Sequence, residues 1–333
     1  MRLFYNLLLV FSIPSLAFSH GFEKKRFYTG INLQIFTSDK VFDSKRNLRE
    51  IEYKYVNDSL TRILEYIEKR LEVQFGFNIA YGLRMEFLIP VIGREMDYAY
   101  ANVYLMENKL VIETLFSDIN SWGVGDLKAR IGGLYNIMKN LEGGAFFDFK
   151  LPTGSTSMGN GKIPLGTGQS DFGFYLSGRF FSDFLNGEVD VGYVFRSYGE
   201  PSYILYYPLP GAVGKGVDPG DEIHTRLRAA FKIKGSFWGG IDLDLRMTQG
   251  DGIKFLVLEN SELKEEWGYY DSSNYGYLKP FLSVRTNGGF ISEIGFSFPF
   301  YGRNYPSEPF FPFLRNSPLF PSSGISASIG YNF

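Results

Sequence analysis

GISASIGYNF, residues 324–333, alternates without a break. Ile325, Ala327, Ile329, Tyr331 and Phe333 share one parity; Ser326, Ser328, Gly330 and Asn332 share the other. A strand points successive side chains to opposite faces, so this segment has one apolar face and one small, polar face. The ends of soluble domains tend to fray into polar tails. A closing strand that finishes on phenylalanine fits better where its apolar face meets lipid.

The opposite end of the sequence predicts export. Arg2 precedes an apolar run from Leu3 to Ile13, followed by a Pro14/Ser15 break and the small pair Ala17 and Ser19. That is the layout of a secretory signal peptide (1–19), cleaved after Ser19 to leave 20–333 as one barrel domain. The run is too short to cross the roughly 30 Å hydrocarbon core as an anchor. With no cysteine, the chain is no disulfide-stapled scaffold. A formal charge of −2 gives no support for a nucleic-acid partner. The sequence holds 33 phenylalanines, 23 tyrosines and 38 glycines. No later stretch approaches the roughly 20 apolar residues of a membrane helix, so the composition points to a transmembrane β-barrel.

The same alternation recurs along the chain. Leu71, Val73, Phe75 and Phe77 alternate with Glu72, Gln74 and Gly76, and Leu83, Met85, Phe87, Ile89 and Val91 with Arg84, Glu86, Leu88 and Pro90. Similar runs cover 188–196, 222–233 and 237–247. Leu60, Ile63, Leu64, Ile67 and Leu71 also fit helical spacing, but a long strand projecting beyond the membrane fits the surroundings better. Short turns at 78–81, 138–142, 182–187, 234–236 and 287–289 alternate with long connections at about 38–60, 93–122, 153–169, 199–220, 250–273 and 301–323. Barrels with short periplasmic turns and long extracellular loops have this rhythm, and it predicts an all-β, antiparallel up-and-down barrel of about twelve strands with both termini periplasmic. A soluble sandwich shares the patterning but would bury its apolar faces against each other. Prolines fall in the predicted loops or at strand ends, except Pro280, which predicts a bulge or an offset strand start within 275–285.

Several runs carry a resemblance: Phe87-Leu-Ile-Pro-Val91, Gly123-Val-Gly-Asp-Leu-Lys-Ala-Arg-Ile-Gly-Gly-Leu-Tyr135, Lys150-Leu-Pro-Thr-Gly154 and the segment from Gly166 to Phe180. In this order the chain resembles an uncharacterised family of bacterial outer-membrane β-barrels, related to porin-like barrels for uptake of aromatic compounds. The likeness covers about 70–200 and the last strand. It implies an outer-membrane location in a Gram-negative-type bacterium and transfers no catalytic residue. The ending is similar to the signal read by the barrel-assembly machinery, with Tyr331 and Phe333 on one face.

The parity opposite the apolar face collects the charges: Arg84, Glu86, Asp126, Lys128, Arg130, Asp148, Lys150, Asp171, Arg179, Glu188, Asp190, Arg196, Arg226, Arg228, Lys232, Asp242, Asp244, Arg246, Lys279, Arg285 and Glu293. A midplane Arg or Lys facing lipid costs about 2–4 kcal/mol, so these side chains are expected to line the lumen. Two readings stay open, an ion-pair lattice that braces the barrel and a narrow charged passage for small solutes. The leading function is a porin-like channel; a non-conducting structural or surface-binding barrel is the alternative, and a lipid-modifying enzyme stands third. Beyond the signal only His20 and His224 are histidines, and His224 has inward parity with no serine near it in its strand. No catalytic residue, metal or cofactor is expected.

The loops hold four further features. Thr153–Lys162 is rich in glycine but lacks a phosphate-loop ending and reads as a flexible loop. Asp39, Asp43, Asp218, Asp221 and Asp251 lack calcium-loop spacing. Ile112, Leu115, Phe116 and Ile119 fall at helical spacing, and Tyr305–Phe320 is too apolar to wave freely in water. The last two are expected to pack on the rim or to line a hydrophobic vestibule. Expected partners are outer-membrane lipid, the assembly machinery and a small solute.

Overall fold

The computed structural model describes residues 27–38, 40–42, 45–54, 60–80, 82–106, 109–157, 163–200, 212–250, 252–259, 262–269, 271–303 and 323–332. The expected signal peptide, the Tyr305–Phe320 run and Phe333 lie outside them.

Twelve antiparallel strands close on themselves. In order around the wall they are β1 (Phe27–Ser38), β4 (Leu60–Ala80), β5 (Leu83–Met106), β7 (Leu127–Met138), β8 (Leu141–Leu151), β9 (Asp171–Phe181), β10 (Leu185–Arg196), β12 (Glu222–Lys234), β13 (Phe237–Thr248), β16 (Ser273–Arg285), β17 (Phe290–Arg303) and β18 (Ser323–Asn332). The seam is the pairing of β1 with β18, which runs from Tyr28–Asn332 to Thr37–Ser323. Closure leaves no unpaired wall edge, the condition lipid imposes on a spanning sheet.

The connections 81–82, 139–140, 182–184, 235–236 and 286–289 are short and share one end of the barrel with the start of β1 and the end of β18. The other end carries everything else. There β2 (Lys40–Phe42) and β3 (Leu48–Lys54) extend the wall beside β4. β4 is a strand throughout its 21 residues, so the Leu60–Leu71 segment is strand and not helix. β5 pairs β7 through Leu83–Leu88 and then, from Val91 to Met106, pairs β6 (Lys109–Val124). The helical spacing of Ile112 to Ile119 is therefore overturned, because the backbone of that run is spent on a hairpin with β5. β11 (Ala212–Asp218), β14 (Gly252–Glu259) and β15 (Glu262–Tyr269) form a separate three-stranded sheet.

Three prolines within the wall sit where a ladder is interrupted. Pro90 lies where β5 changes partner from β7 to β6, and its carbonyl accepts from Gly125 at 2.8 Å. Pro280 pairs Ile241 of β13, while the pairs with β17 pass from Leu278–Phe298 to Phe281–Gly295. Pro299 lies opposite Tyr277, beside the register shift at Gly276/Tyr277. A residue with no N–H is tolerated at such gaps.

The two faces of the wall are chemically opposite. Phe147, Phe149, Phe172, Phe174, Phe195, Ile223, Leu227, Phe231 and Ile241 stay exposed. Several touch across strands, with ring centroids 5.3 Å apart for Phe147–Phe174 and 5.2 Å for Phe149–Phe172. Each such side chain left in water would forgo about 1.5–3 kcal/mol, whereas hydrocarbon accepts it. On β18 Ile325 and Tyr331 are exposed, Ser326 and Ser328 are buried, and small Ala327 is covered where it sits between Leu33 and Ile294.

Candidate functional site: the charged interior and its strap

The buried face of the wall is a set of cross-strand ion pairs. On β12, β13, β16 and β17, Arg226 Nε meets Asp242 at 2.9 Å and Arg228 Nη1 meets the same carboxylate at 3.3 Å. Arg228 also binds Glu293, which takes Lys279 at 3.3 Å, and its guanidinium lies 3.9 Å from the Phe281 ring centroid. Next along the wall, Arg246 binds Asp244 at 3.0 Å and Glu222 at 3.6 Å, while Arg196 binds Glu222 at 2.5 Å. His224 sits between Asp244 (3.2 Å from Nε2) and the Tyr175 hydroxyl (3.4 Å from Nδ1).

A third group spans β5, β7, β8, β9 and β10. Arg130 holds Asp148 by two parallel hydrogen bonds of 2.6 and 2.8 Å, and its guanidinium lies over both Phe146 and Tyr175. Arg84 binds Glu86 at 2.8 Å, and its guanidinium lies 5.0 Å from the Phe146 ring centroid. Asp190 accepts from Ser177 at 2.5 Å. Arg179 is buried, Lys128 and Glu188 are half-buried, and Arg285 lies 5.1 Å from the Trp238 ring centroid. Lys232, nearer the short turns, is exposed.

Two components were not singled out from sequence. The first is a rim cluster: Glu68 accepts from Tyr66 at 2.6 Å and binds Arg70 at 3.0 Å and Arg94 at 3.1 Å. Glu68 and Arg70 continue the polar parity of Glu72 and Gln74, so the alternation would have revealed them had it been extended towards Leu60. The second is an inner set of aromatics: Tyr28, Phe146, Tyr175, Tyr275, Tyr277 and Phe281 are all buried. Aromatic side chains on both parities leave no alternation signal, so only position in the barrel separates these from lipid-facing rings.

The connection between β8 and β9 folds back against this interior. Asp126 is its anchor: Oδ1 accepts from the Gly154 amide at 3.0 Å, and Oδ2 from the Thr167 amide and hydroxyl at 2.8 and 2.9 Å. Lys150 reaches Thr167 at 2.6 Å and Asp171 at 2.7 Å. Arg94 donates to the Pro164 carbonyl, and the Ile163 amide donates to Ser121 at 2.7 Å. Ile163 and Leu165 are buried, as are Ile92 and Met96. The two limbs of the strap touch so closely that a Cβ on Gly166 would lie 2.4 Å from Asp126 Oδ1 and 2.6 Å from the Gly154 carbonyl. The reading of Thr153–Lys162 as a flexible loop is corrected at its described beginning. Thr153 bonds Leu127 and Gly125, Gly154 bonds Asp126, and the Ser155 carbonyl accepts from Leu165 at 2.7 Å.

A closed twelve-stranded wall with an apolar exterior, a charged interior and elaborated connections at one end defines a β-barrel of the outer-membrane type. A solved structure shares that fold. The COG4313 outer membrane channel from Pseudomonas putida F1 superposes with a TM-score of 0.58 at 10% identity, covering 93% of this chain and 96% of that one. The NanC porin gives a TM-score of 0.41 at 11% identity, covering 91% and 98%. No family model and no curated protein sequence matches the chain.

Proposed function

We propose that the chain is an outer-membrane, porin-like channel that passes small solutes passively through a narrow charged lumen, with the strap limbs 152–157 and 163–170 at its constriction. The supporting observation is that the interior of the wall is built from buried charge. Replacing buried ion pairs by apolar side chains of similar volume is often neutral or stabilising, so a barrel needing only a filled core would gain nothing from them. A lining of Arg, Lys, Asp and Glu is useful where water and solutes move. In this reading residues 1–19 direct export, the wall lies in outer-membrane lipid, the short turns face the periplasm, and the terminal strand is read by the assembly machinery.

The non-conducting alternative draws on the density of the same contacts, above all Arg130 held between Asp148, Phe146 and Tyr175. An enzyme is not favoured, since His224 is engaged by Asp244 and Tyr175 inside the wall, away from lipid. Purified barrel added to planar bilayers is expected to give discrete conductance steps. A silent, sealed barrel would replace the channel by the structural reading.

A further inference from the structure

The small sheet of β11, β14 and β15 has two unlike faces. Val217, Ile253 and Phe255 on one face are buried. The pairs Lys254–Trp267 and Gly252–Tyr269 place Trp267 and Tyr269 on the other, with Glu265 two residues before Trp267. Both rings are exposed, Tyr269 at 78%. They lie nearly parallel, 14° apart with centroids separated by 6.2 Å, and form one exposed aromatic strip along β15. Tyr198 stands against the strip, its ring 61° from the Trp267 plane with centroids 6.0 Å apart.

Two glycines let the rings lie close to the backbone. A Cβ on Gly252 would come within 3.2 Å of Trp267, and one on Gly216 within 2.0 Å of the Tyr198 hydroxyl. Polar groups border the strip. Glu265 is held by both Lys215 and Lys254, and the Tyr198 hydroxyl donates to Glu200 at 3.0 Å. Burial, and then that bond, push the Tyr198 phenol up to about 12, so it stays protonated.

We infer that Tyr198, Trp267 and Tyr269, bordered by Lys254 and Glu265, form a docking surface for a neutral oligosaccharide at the long-loop end of the barrel. A hexose ring has an apolar C–H face and a rim of hydroxyls. The aromatic floor suits the first, as an apolar body with a polar border suits Tyr and Trp. The carboxylate and ammonium groups beside it suit the second. The charged border of Lys215, Lys254 and Glu265 is unsuited to the hydrocarbon core, where a midplane Lys costs about 2–4 kcal/mol. Three neighbouring exposed rings also suit consecutive sugars of a chain better than a single monosaccharide. This surface is separate from the lumen and stands whether or not the barrel conducts.

The test uses the full barrel in a sugar-free amine-oxide detergent, since maltoside detergents would compete. Trp122 and Trp238 are replaced by Phe so that the remaining fluorescence reports Trp267. Titration with maltohexaose and with cellohexaose is expected to shift the emission saturably with at least one of them. Trp267→Phe in the parent chain, followed by calorimetry, should retain that binding; Trp267→Ala and Tyr269→Ala should weaken it about tenfold or more. Heat-modifiable migration must be kept in every variant, and bilayer conductance should not change in Trp267→Ala. Lack of binding by both hexasaccharides, or equal binding by Trp267→Ala, overturns the inference. Quenching of Trp267 by brominated lipid in reconstituted vesicles overturns it too, by placing the strip in the bilayer.

Discussion

Asp126 and Thr167 are joined twice, since one carboxylate oxygen accepts both the amide and the hydroxyl of Thr167, at 2.8 and 2.9 Å. The other oxygen takes the Gly154 amide at 3.0 Å, so one side chain closes both limbs of the strap. Hydrogen bonds to a charged group contribute about 1.5–3 kcal/mol each, and this group carries several. Asp126→Ala is therefore expected to free the strap while leaving the wall paired. Single-channel conductance should rise and become noisier, and trypsin should cut at Lys162 sooner than in the parent. Unchanged conductance would show that the strap does not narrow the path.

Glu293 joins Arg228 and Lys279 while Arg228 also bonds Asp242, so four charges depend on one another. Removing one member of a buried pair leaves an uncompensated charge and costs about 3–5 kcal/mol. Glu293→Ala should lower the free energy of unfolding, read from urea titration, by an amount in that range. The double change Glu293→Leu with Arg228→Met should recover much of the loss, because it removes the orphaned partner as well. If the single and double variants unfold alike, the pair is not a buried unit.

Outside the membrane, Lys215 and Lys254 hydrogen-bond the Glu265 carboxylate and hold it below the usual range. A depressed folded value means that this contribution is complete above the ordinary glutamate value of about 4.3 and is lost as pH falls through the lower folded value. With Trp267 as sole tryptophan, emission should stay constant from pH 7 to about 5 and change only in the acid range below the ordinary glutamate value. Glu265→Gln should abolish that transition. A change centred at or above the ordinary value would contradict the ion-pair geometry.

The lipid face is open to a direct test at Phe149, which is exposed and packs edge-on against Phe172. Phe149→Arg puts a cation on that face and should cost about 2–4 kcal/mol near the midplane, less towards either interface. The same change at buried Phe146, which already lies under Arg84 and Arg130, meets like charge instead. Both should be harmful, but only the Phe149 variant should recover in thinner bilayers, where the site lies nearer an interface. Equal behaviour would mean that the two parities do not see different solvents.

The wall was legible because alternation carries over to a barrel without loss. Ile325 and Tyr331 outside, Ser326 and Ser328 inside, are what a two-residue period dictates once one face is lipid. Leu60–Ala80 was legible for the same reason, although part of it also matched a helix. Leu110–Ile119 misled because leucine, isoleucine and phenylalanine at spacings of three and four satisfy a helix, while pairing with β5 is a non-local fact. The strap was hidden more deeply. Its anchors, Asp126, Lys150 and Arg94, lie far from Thr167 and Pro164 in sequence, and no local pattern announces that a glycine-rich loop will turn inward. Phe146 and Tyr175 were missed because aromatic rings occur on both faces, and the partners that mark them as interior are arginines on other strands.

The terminal strand gives the last prediction. Its pairing with β1 is the seam, so closure waits on β18 arriving in register. Tyr331 is exposed on the outer face, opposite Thr29 of β1, at the end that carries the short turns. Phe333 shares the sequence parity of Tyr331, and barrels of this type carry an aromatic girdle at the interface. Deleting Phe333 should lower the amount of heat-modifiable barrel in the outer membrane without reducing export to the periplasm, and Tyr331→Ala should add to the defect. Tyr331→Phe, which keeps the ring, should not. Normal barrel levels in the double variant would mean that assembly reads another part of the chain.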